Sequence, residues 1–161
     1  MKVFIDTNVL IDFIAKREQF YQTAASLMSL GIKREVELYA TPLTYATCIF
    51  ISQKILGYDG AIKAMQIVDN YVRVSTMDSR QCHNALFSRM PDFEDMLQFE
   101  SAYAAGCDVI VTRNKKHFPS DAMQILSPDE FFDNYWPEDW LGNNEIFYAT
   151  PPRAHRPGRF A

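Results

Sequence analysis

Three short clusters of polar side chains occur where an apolar run of this chain ends or where a helix begins. They are Asp6 to Asn8, Asp92 to Asp95, and Arg113 to Lys116. Carboxylate and amide groups accept hydrogen bonds, orient water or transfer protons, whereas guanidinium and ammonium groups bind phosphate oxygens. Acidic and amide side chains with cations beside them therefore indicate a site that acts on an anionic substrate.

Each cluster also has a purely structural explanation. One polar residue after the first apolar run is enough to cap a helix, and three are present. Asp92 fits the N-cap position of a helix and Asp95 its first turn, where a negative charge offsets the helix dipole. The third cluster would be a solvated basic turn. In the functional interpretation, Asp6 and Asn114 project into one cleft, flanked by the substrate-binding cations Arg113, Lys115 and Lys116.

The spacing of apolar residues alternates between strand and helix signals along the chain. Strands are predicted at residues 2–6, 37–40, 72–75, 108–112 and 124–126. Helices are predicted at residues 8–16, 19–31, 41–57, 59–71, 78–90, 91–106 and 128–135. This alternation is typical of an α/β fold with a parallel sheet of four to five strands and helices on both faces. The continuous apolar run at residues 3–5 places the first strand centrally, and ligands bind such sheets at the carboxyl ends of strands.

Length and composition indicate one globular domain. The chain has 161 residues, of which 48% are hydrophobic and 22% charged, with a net charge of -4. Residues 1–116 hold 13 Lys or Arg and 13 Asp or Glu. Proteins that grip nucleic acid by charge alone need an excess of cations on one face. The balanced charge excludes that class, so any nucleic-acid function must come from a local site.

The sequence also predicts where the protein works. The longest apolar candidate is interrupted by proline and is shorter than a membrane span, which needs about 20 apolar residues. The N-terminus lacks the basic region and cleavage site of a signal peptide. Cys48, Cys82 and Cys107 lie far apart, without a second cysteine or a histidine at metal-ligand spacing. We expect a cytoplasmic protein with reduced, buried thiols and no membrane partner.

In their order along the chain, the three clusters resemble the motifs of the PIN domain, a family of metal-dependent nucleases that includes toxic ribonucleases of bacterial toxin-antitoxin pairs. The resemblance rests on Asp6 to Asp12, Asp92 to Asp95 and Val109 to Asn114, and covers about residues 1 to 135. It implies a three-layer α/β/α sandwich whose acidic cleft holds Mg²⁺ or Mn²⁺ and cleaves RNA. Asp6 and Asp95 match the family's metal-binding aspartates, and Asn114 matches a site position that is often acidic.

Two positions depart from the PIN pattern. Residues 38–58 contain no acid, so Thr47 or a close neighbour occupies the place where the third helix of the family usually carries a glutamate. His117 replaces an aspartate that is common in the loop after the fourth strand. Asp92, a further candidate metal ligand, or Asp12 would compensate in part. We expect Thr47→Glu, which restores the acid, to raise activity.

Three functions remain open for these residues. The first is a metal-dependent ribonuclease, acting on single-stranded or structured RNA, as the toxin of a toxin-antitoxin pair. The second is a catalytically silent PIN module that binds RNA or a protein through the same cleft. The third is a haloacid-dehalogenase-like phosphatase, which needs a second aspartate two residues after the first, where this chain has Asn8.

The C-terminal segment differs in composition from the rest of the chain. Residues 1–135 are predicted to form the nuclease domain, and residues 136–161 a tail rich in proline and aromatic residues. Soluble monomers seldom expose so many aromatic side chains, so the tail is expected to pack on the domain, on a second copy in a homodimer, or on an antitoxin. Its aromatic residues are Trp136, Trp140, Phe147, Tyr148 and Phe160.

Overall fold

A five-stranded parallel sheet forms the centre of the molecule. The computed structural model describes residues 1–136. Its strands are β1 (Lys2–Ile5), β2 (Glu37–Ala40), β3 (Val72–Val74), β4 (Val109–Val111) and β5 (Gln124–Leu126). Its α-helices are α1 (Thr7–Ile14), α2 (Tyr21–Ile32), α3 (Pro42–Asp69), α4 (Ser79–Phe87), α5 (Phe93–Ala104) and α6 (Pro128–Tyr135), and a 3-10 helix spans Lys115–His117.

The first strand occupies the middle of the sheet, as its apolar sequence predicts. The strand order is β3-β2-β1-β4-β5, with Val3 paired to Leu38 on one side and to Val109 on the other. Val3 and Phe4 are completely buried and Ile5 is 1% exposed. A strand covered on both faces reads as a continuous apolar run, because no side chain points to water. The carboxyl ends of β1 and β4 therefore lie side by side.

Alternate side chains of β1 enter two separate cores. Val3 and Ile5 pack in a cluster with residues of α1, α2, α3 and α6, whereas Phe4 packs with residues of α4 and α5. Successive side chains of a strand point to opposite faces, so these two clusters lie on the two faces of the sheet. The result is the three-layer α/β/α sandwich that the sequence predicts.

Polar residues begin the helices that border the carboxyl edge of the sheet. The Thr41 side chain accepts from the backbone N–H of Thr44 and forms a capping box, with Pro42 in the first turn of α3. The Asp92 side chain accepts from the backbone N–H of Asp95 at the start of α5. Such caps satisfy amide groups that lack a partner within the helix. They fix the positions where the sequence predicts that these helices start.

Helix α3 contains a break at the predicted position. Gly57 has φ 70° and ψ 166°, which divides Pro42–Asp69 into two helical parts. This conformation is in practice restricted to glycine, because a Cβ atom at this φ crowds the adjacent peptide groups, although nothing else lies within 4 Å of it. The two parts of α3 together connect the carboxyl end of β2 to the start of β3.

The end of the described chain packs against the domain. The ring of Trp136 lies 5.5 Å from that of Phe131, which is completely buried. Trp136, the first residue of the predicted tail, thus contacts the domain itself, while Trp140, Phe147, Tyr148 and Phe160 lie outside the described residues. Among residues 1–136, no helix is long and apolar enough to cross a membrane.

The three cysteines are free thiols. Cys48 and Cys107 are buried, as predicted, whereas Cys82 is only partly buried.

The break at Gly57 generates a stability prediction. Gly57→Ala is expected to lower the free energy of unfolding by about 1–3 kcal/mol, because alanine is strained at this φ and ψ. Gly60→Ala is the matched control: Gly60 lies in the same helix without a positive φ, and its added Cβ would meet only the Leu56 side chain. Urea unfolding should place the control within about 1 kcal/mol of the wild type. Equal loss in both variants would contradict a special conformation at Gly57.

Candidate active site

Asp6 lies at the carboxyl end of the central strand, and its side chain does not cap the helix that follows. It occupies the N-cap position of α1 but makes no side-chain capping hydrogen bond. Its carboxylate instead accepts from the Thr112 hydroxyl at 2.6 Å and from the Asn8 amide. Thr112 follows β4, so these bonds join the ends of two neighbouring strands. Asp6 therefore occupies the N-cap position without a side-chain capping bond, and its carboxylate links the ends of the two strands.

Burial makes the charge of Asp6 costly in the absence of a cation. The residue is 2% exposed. Desolvation raises the pKa of Asp6 from its ordinary value of 3.8 to about 6, and the nearby charge of Asp95 adds to this effect. The hydrogen bond from Thr112 lowers the pKa and only partly offsets the burial. A positive charge placed beside this carboxylate would relieve the cost.

Asp95 stands across the cleft in a group of potential metal ligands. Oxygen and nitrogen atoms of Asp92, Asp95 and His117 all lie within 4.8 Å of one another. The Nδ1 atom of His117 is 2.8 Å from an Asp95 oxygen. Asp92 uses one oxygen to cap α5, which leaves its second oxygen for another partner. Asp6 is not a member of this group, although it borders the same cleft.

A network of buried hydroxyl and amide groups connects the helices that form the cleft. The Gln98 side-chain oxygen accepts from the hydroxyls of Thr7 and Thr44 at 3.5 and 3.4 Å. Gln98 is 1% exposed, and it also hydrogen-bonds Asp6 and lowers the pKa of that carboxyl. Because Thr7, Thr44 and Gln98 belong to α1, α3 and α5, the network fixes the relative positions of three helices.

Arg113 is held by the protein itself. Its Nε atom lies 2.8 Å from a carboxylate oxygen of Asp12, which is 1% exposed. The guanidinium also stacks on Phe20, 4.2 Å from the ring centroid. Arg17 forms a second ion pair with Asp12 at 3.3 Å. These contacts anchor the loop after β4 to α1, so Asp12 compensates for the charge of Arg113 and is not placed in the cleft.

The other two predicted substrate-binding cations lie on the surface. The Nζ atom of Lys115 is 2.5 and 2.6 Å from the two carboxylate oxygens of Glu130 in α6. Lys116 is exposed. The cation that lines the acidic cleft is Arg17, which follows α1 and which the sequence did not single out. No sequence signal marked it, because the turn after α1 carries no motif.

The cleft has a volume of about 340 Å³ and brings residues from five segments together. It is lined by Asp6, Thr7, Asn8, Ile11, Arg17, Thr47, Ile51, Asp92, Glu94, Asp95, Gln98, Asn114 and His117. The predicted residues Asp6, Asp92, Asp95 and Asn114 are therefore in one place, whereas Arg113, Lys115 and Lys116 are not in its lining. Gln98 and Glu94 were not predicted as site residues, although Gln98 lies one helical turn after Asp95, a spacing that places both on one face.

The raised pKa of Asp6 predicts how stability depends on pH. The folded protein binds this proton more tightly than the unfolded chain does, so metal-free stability falls as pH rises from 3.8 to about 6. The loss is about 3 kcal/mol, because one pKa unit corresponds to about 1.4 kcal/mol. Asp6→Asn should remove much of this slope in urea unfolding with a chelator present.

The control for this measurement is Asp121→Asn, which removes an exposed carboxylate and should keep the slope of the wild type. Part of the slope will remain in Asp6→Asn, because burial also raises the pKa values of Asp12, Glu94 and Asp95. Identical pH dependence in Asp6→Asn and the wild type would contradict the assignment of this cost to Asp6.

Comparison with known proteins agrees with this architecture. Residues 2–116 match the PIN domain family. The chain is 23% identical over 139 residues to Ribonuclease VapC1 of Aquifex aeolicus (strain VF5). The alignment covers 83% of this chain and 95% of the relative.

Two solved structures share the fold. VapBC2 from Rickettsia felis, bound to a DNA fragment from its promoter, has a TM-score of 0.60 at 15% identity and covers 78% of this chain and 97% of its own. VapC20 of Mycobacterium tuberculosis, a Sarcin-Ricin loop cleaving toxin, has a TM-score of 0.54 at 16% identity. This match covers 74% of the present chain and 91% of the VapC20 chain. The family match spans most of the described residues and includes all three polar clusters. This chain belongs to the PIN domain family.

Proposed function

We propose that this protein is a metal-dependent ribonuclease that hydrolyses phosphodiester bonds of RNA. The observation that carries the proposal is the meeting of Asp6, Asp92, Asp95 and His117 in one cleft at the carboxyl ends of β1 and β4. The similarity to a protein named Ribonuclease VapC1 supports it. Phosphodiester hydrolysis needs charge stabilisation of a developing oxyanion, and such a cleft can hold the cation that provides it.

The side chains present fit a divalent cation. Asp95 and Asp92 offer hard oxygen ligands, and His117 offers a nitrogen within 4.8 Å of both. Asp6 adds a buried negative charge whose pKa is raised to about 6 by desolvation, so it favours a cation over solvent. Mg²⁺ prefers six oxygen ligands, whereas Mn²⁺ accepts imidazole more readily. We therefore propose Mn²⁺ or Mg²⁺ as the metal, with Mn²⁺ preferred.

The residues around the proposed metal position have separate roles in binding the cation, orienting water and orienting the carboxylates. Asp6 and Asp95 would hold the cation, with Asp92 as a third carboxylate. A cation bound there would supply charge stabilisation to the scissile phosphate and would lower the pKa of a water molecule. Asn114 borders the same cleft with a side chain that both donates and accepts, so it suits the orientation of the attacking water. Thr112 and Asn8 keep the Asp6 carboxylate in one orientation.

The cations divide into those that bind the protein and those that can bind phosphate. Arg17 borders the cleft and is partly exposed despite its ion pair with Asp12, so it is placed to meet an RNA phosphate. Lys116 is exposed beside His117 and can make a second phosphate contact. Arg113 and Lys115 are already paired with Asp12 and Glu130, which weakens their attraction for a phosphate. Binding through phosphates without base contacts suits recognition of RNA by shape.

A silent binding module is the alternative function. Thr47 borders the cleft where the family usually carries a glutamate, so the described part of α3 contributes no carboxylate there. Fewer acidic ligands weaken the binding of a hard cation. In this alternative the cleft binds RNA or a protein without cleaving it. Membership of the PIN family leaves no support for the haloacid-dehalogenase-like alternative.

We also propose that the protein is the toxin of a toxin-antitoxin pair, acts in the cytoplasm and forms a homodimer. Its fold resembles VapBC2 of Rickettsia felis and the Mycobacterium tuberculosis toxin VapC20. The aromatic residues of segment 136–161 support association with a second copy or an antitoxin, because such side chains seldom face solvent in numbers. Cytoplasmic RNA would then be the substrate.

The ribonuclease proposal predicts Mn²⁺-stimulated cleavage of single-stranded RNA, weaker with Mg²⁺ and absent with a chelator. Asp95→Asn should lower the rate about a hundredfold or more, because the metal contributes several kcal/mol and each 1.36 kcal/mol is tenfold. Cleavage of a labelled oligonucleotide measures this, with Asp121→Asn as a control that retains activity. An unchanged rate in Asp95→Asn would assign the cleavage to a contaminant, and Mn²⁺ binding without cleavage would favour the silent module.

The homodimer proposal predicts a change of mass on truncation. Chains ending after Tyr135 or after Trp136 should both run as monomers in light scattering, whereas the full chain runs as a dimer. Only the shorter chain should also melt earlier, because it lacks the contact of Trp136 with Phe131. The loss of one partly buried aromatic ring corresponds to about 1–3 kcal/mol. Unchanged mass in both truncated proteins would contradict a dimer held by this segment.

A further inference from the structure

We propose that Glu94 is a cation-binding carboxylate of this cleft and supplies, from α5, the acid that α3 lacks. This inference rests on the proposed function, since it assigns a ligand to the same site. It starts from the position of Glu94 in the lining of the cleft, together with Asp6, Asp95 and Thr47.

Two facing rows of side chains place Glu94 against α3. On α5, Glu94 and Gln98 are four residues apart and therefore lie on one side of the helix. On α3, Thr44 and Thr47 are three residues apart and likewise share a side. The Gln98 side-chain oxygen accepts from the Thr44 hydroxyl at 3.4 Å, so the two rows meet there. One helical turn away from this contact, Glu94 on α5 lies opposite Thr47 on α3.

Contacts of Glu94 confirm this pairing of rows. Burial raises the pKa of the Glu94 carboxyl, the charges of Asp95 and Asp92 raise it further, and hydrogen bonding to the Thr47 side chain lowers it, so Thr47 and Glu94 are neighbours. Burial raises the pKa of the Cys48 thiol, which lies on α3 next to Thr47, and the nearby negative charges of Asp6 and Glu94 raise it further. A carboxylate on residue 47 and one on residue 94 would therefore approach the same space from opposite helices.

In this arrangement, the carboxylate that faces α3 belongs to α5, and α3 itself carries no acid in the cleft. The carboxylate that α3 does not provide arrives from the first turn of α5, and threonine at position 47 leaves room for it and donates a hydrogen bond. A glutamate at position 47 would instead place two like charges in contact. The sequence alone predicts that Thr47→Glu raises activity, but this arrangement predicts that Thr47→Glu by itself does not strengthen metal binding.

A structural role is the competing explanation of Glu94. It lies in the first turn of α5, where an acid stabilises the helix dipole without any ligand. Such a role predicts that removal of the charge lowers the melting temperature and leaves metal affinity unchanged. The two explanations therefore differ in one measurable quantity, the affinity of the folded protein for Mn²⁺.

The test is Mn²⁺ titration of the metal-free full-length protein by calorimetry and by electron paramagnetic resonance. Glu94→Gln, which keeps the size of the side chain, should weaken Mn²⁺ binding by about tenfold or more, the range seen when a residue supporting a metal site is lost. The matched control is Glu100→Gln on the same helix, whose carboxylate accepts from Asn84 at 2.8 Å and does not line the cleft. The control should bind Mn²⁺ as the wild type does.

A second variant, in which the carboxylate is moved from α5 to α3, distinguishes the loss of a metal ligand from a folding defect in Glu94→Gln. The double variant Thr47→Glu/Glu94→Thr exchanges the two side chains and should restore Mn²⁺ affinity to within about threefold of the wild type, a difference below the tenfold effect of losing the ligand. Thr47→Glu alone should bind no more tightly than the wild type. Tighter binding in that single variant, or equal binding in Glu94→Gln and the wild type, would overturn the proposal.

The outcomes separate this inference from the ribonuclease proposal. Mn²⁺ binding that is lost in Asp6→Asn and retained in Glu94→Gln overturns the role of Glu94 and leaves the ribonuclease proposal intact. Mn²⁺ binding that depends on Glu94, in a protein that cleaves no RNA, supports the role of Glu94 and overturns the ribonuclease. A wild-type protein that binds no Mn²⁺ at millimolar concentration overturns both.

Discussion

The carboxylate of Asp6 and its two donors are the constraint around which the cleft is built. Thr112 and Asn8 bind the same carboxylate oxygen, and the backbone N–H of Asn114 in turn donates to the Thr112 hydroxyl at 2.9 Å. The end of β1, the start of α1 and the loop after β4 are thus connected through one buried charge. A buried carboxylate with satisfied hydrogen bonds is rigid but electrostatically costly. Its rigidity orients the site, and its cost creates the demand for a cation.

The remaining acids add to that demand. Burial raises the pKa values of Asp95 and Glu94, and neighbouring acids raise them further, while Asp12 is compensated by Arg17 and Arg113. The protein therefore neutralises Asp12 with two of its own cations, whereas Asp95 pairs with His117 and Asp6 is held by uncharged hydrogen-bond donors. Groups whose pKa values are displaced by both burial and like charge are typical of functional sites. This contrast distinguishes the cleft from the ion pairs that hold the loop.

Local sequence determined those features that depend on neighbours in the chain. The apolar run of β1, the cap at Asp92 and the break at Gly57 were predictable, because each follows from properties of adjacent residues. The contacts of Arg113 with Asp12 and of Glu94 with Thr47 were not, because they join segments that meet only after the sheet has formed. The basic loop after β4 consequently resembled a substrate-binding patch in the sequence, although two of its cations are paired within the protein.

That pairing has a consequence for how nucleic acid would associate with this surface. Each cation that neutralises a phosphate displaces a counterion from the nucleic acid, which makes binding fall with rising salt. Arg113 and Lys115 are already neutralised by Asp12 and Glu130, so they displace few counterions unless those pairs break. The dependence of affinity on ionic strength should therefore be shallower than four phosphate contacts would give, because chiefly Arg17 and Lys116 contribute to it. Long-range attraction would contribute little to the encounter, and residence of a strand would depend on contacts made inside the cleft itself.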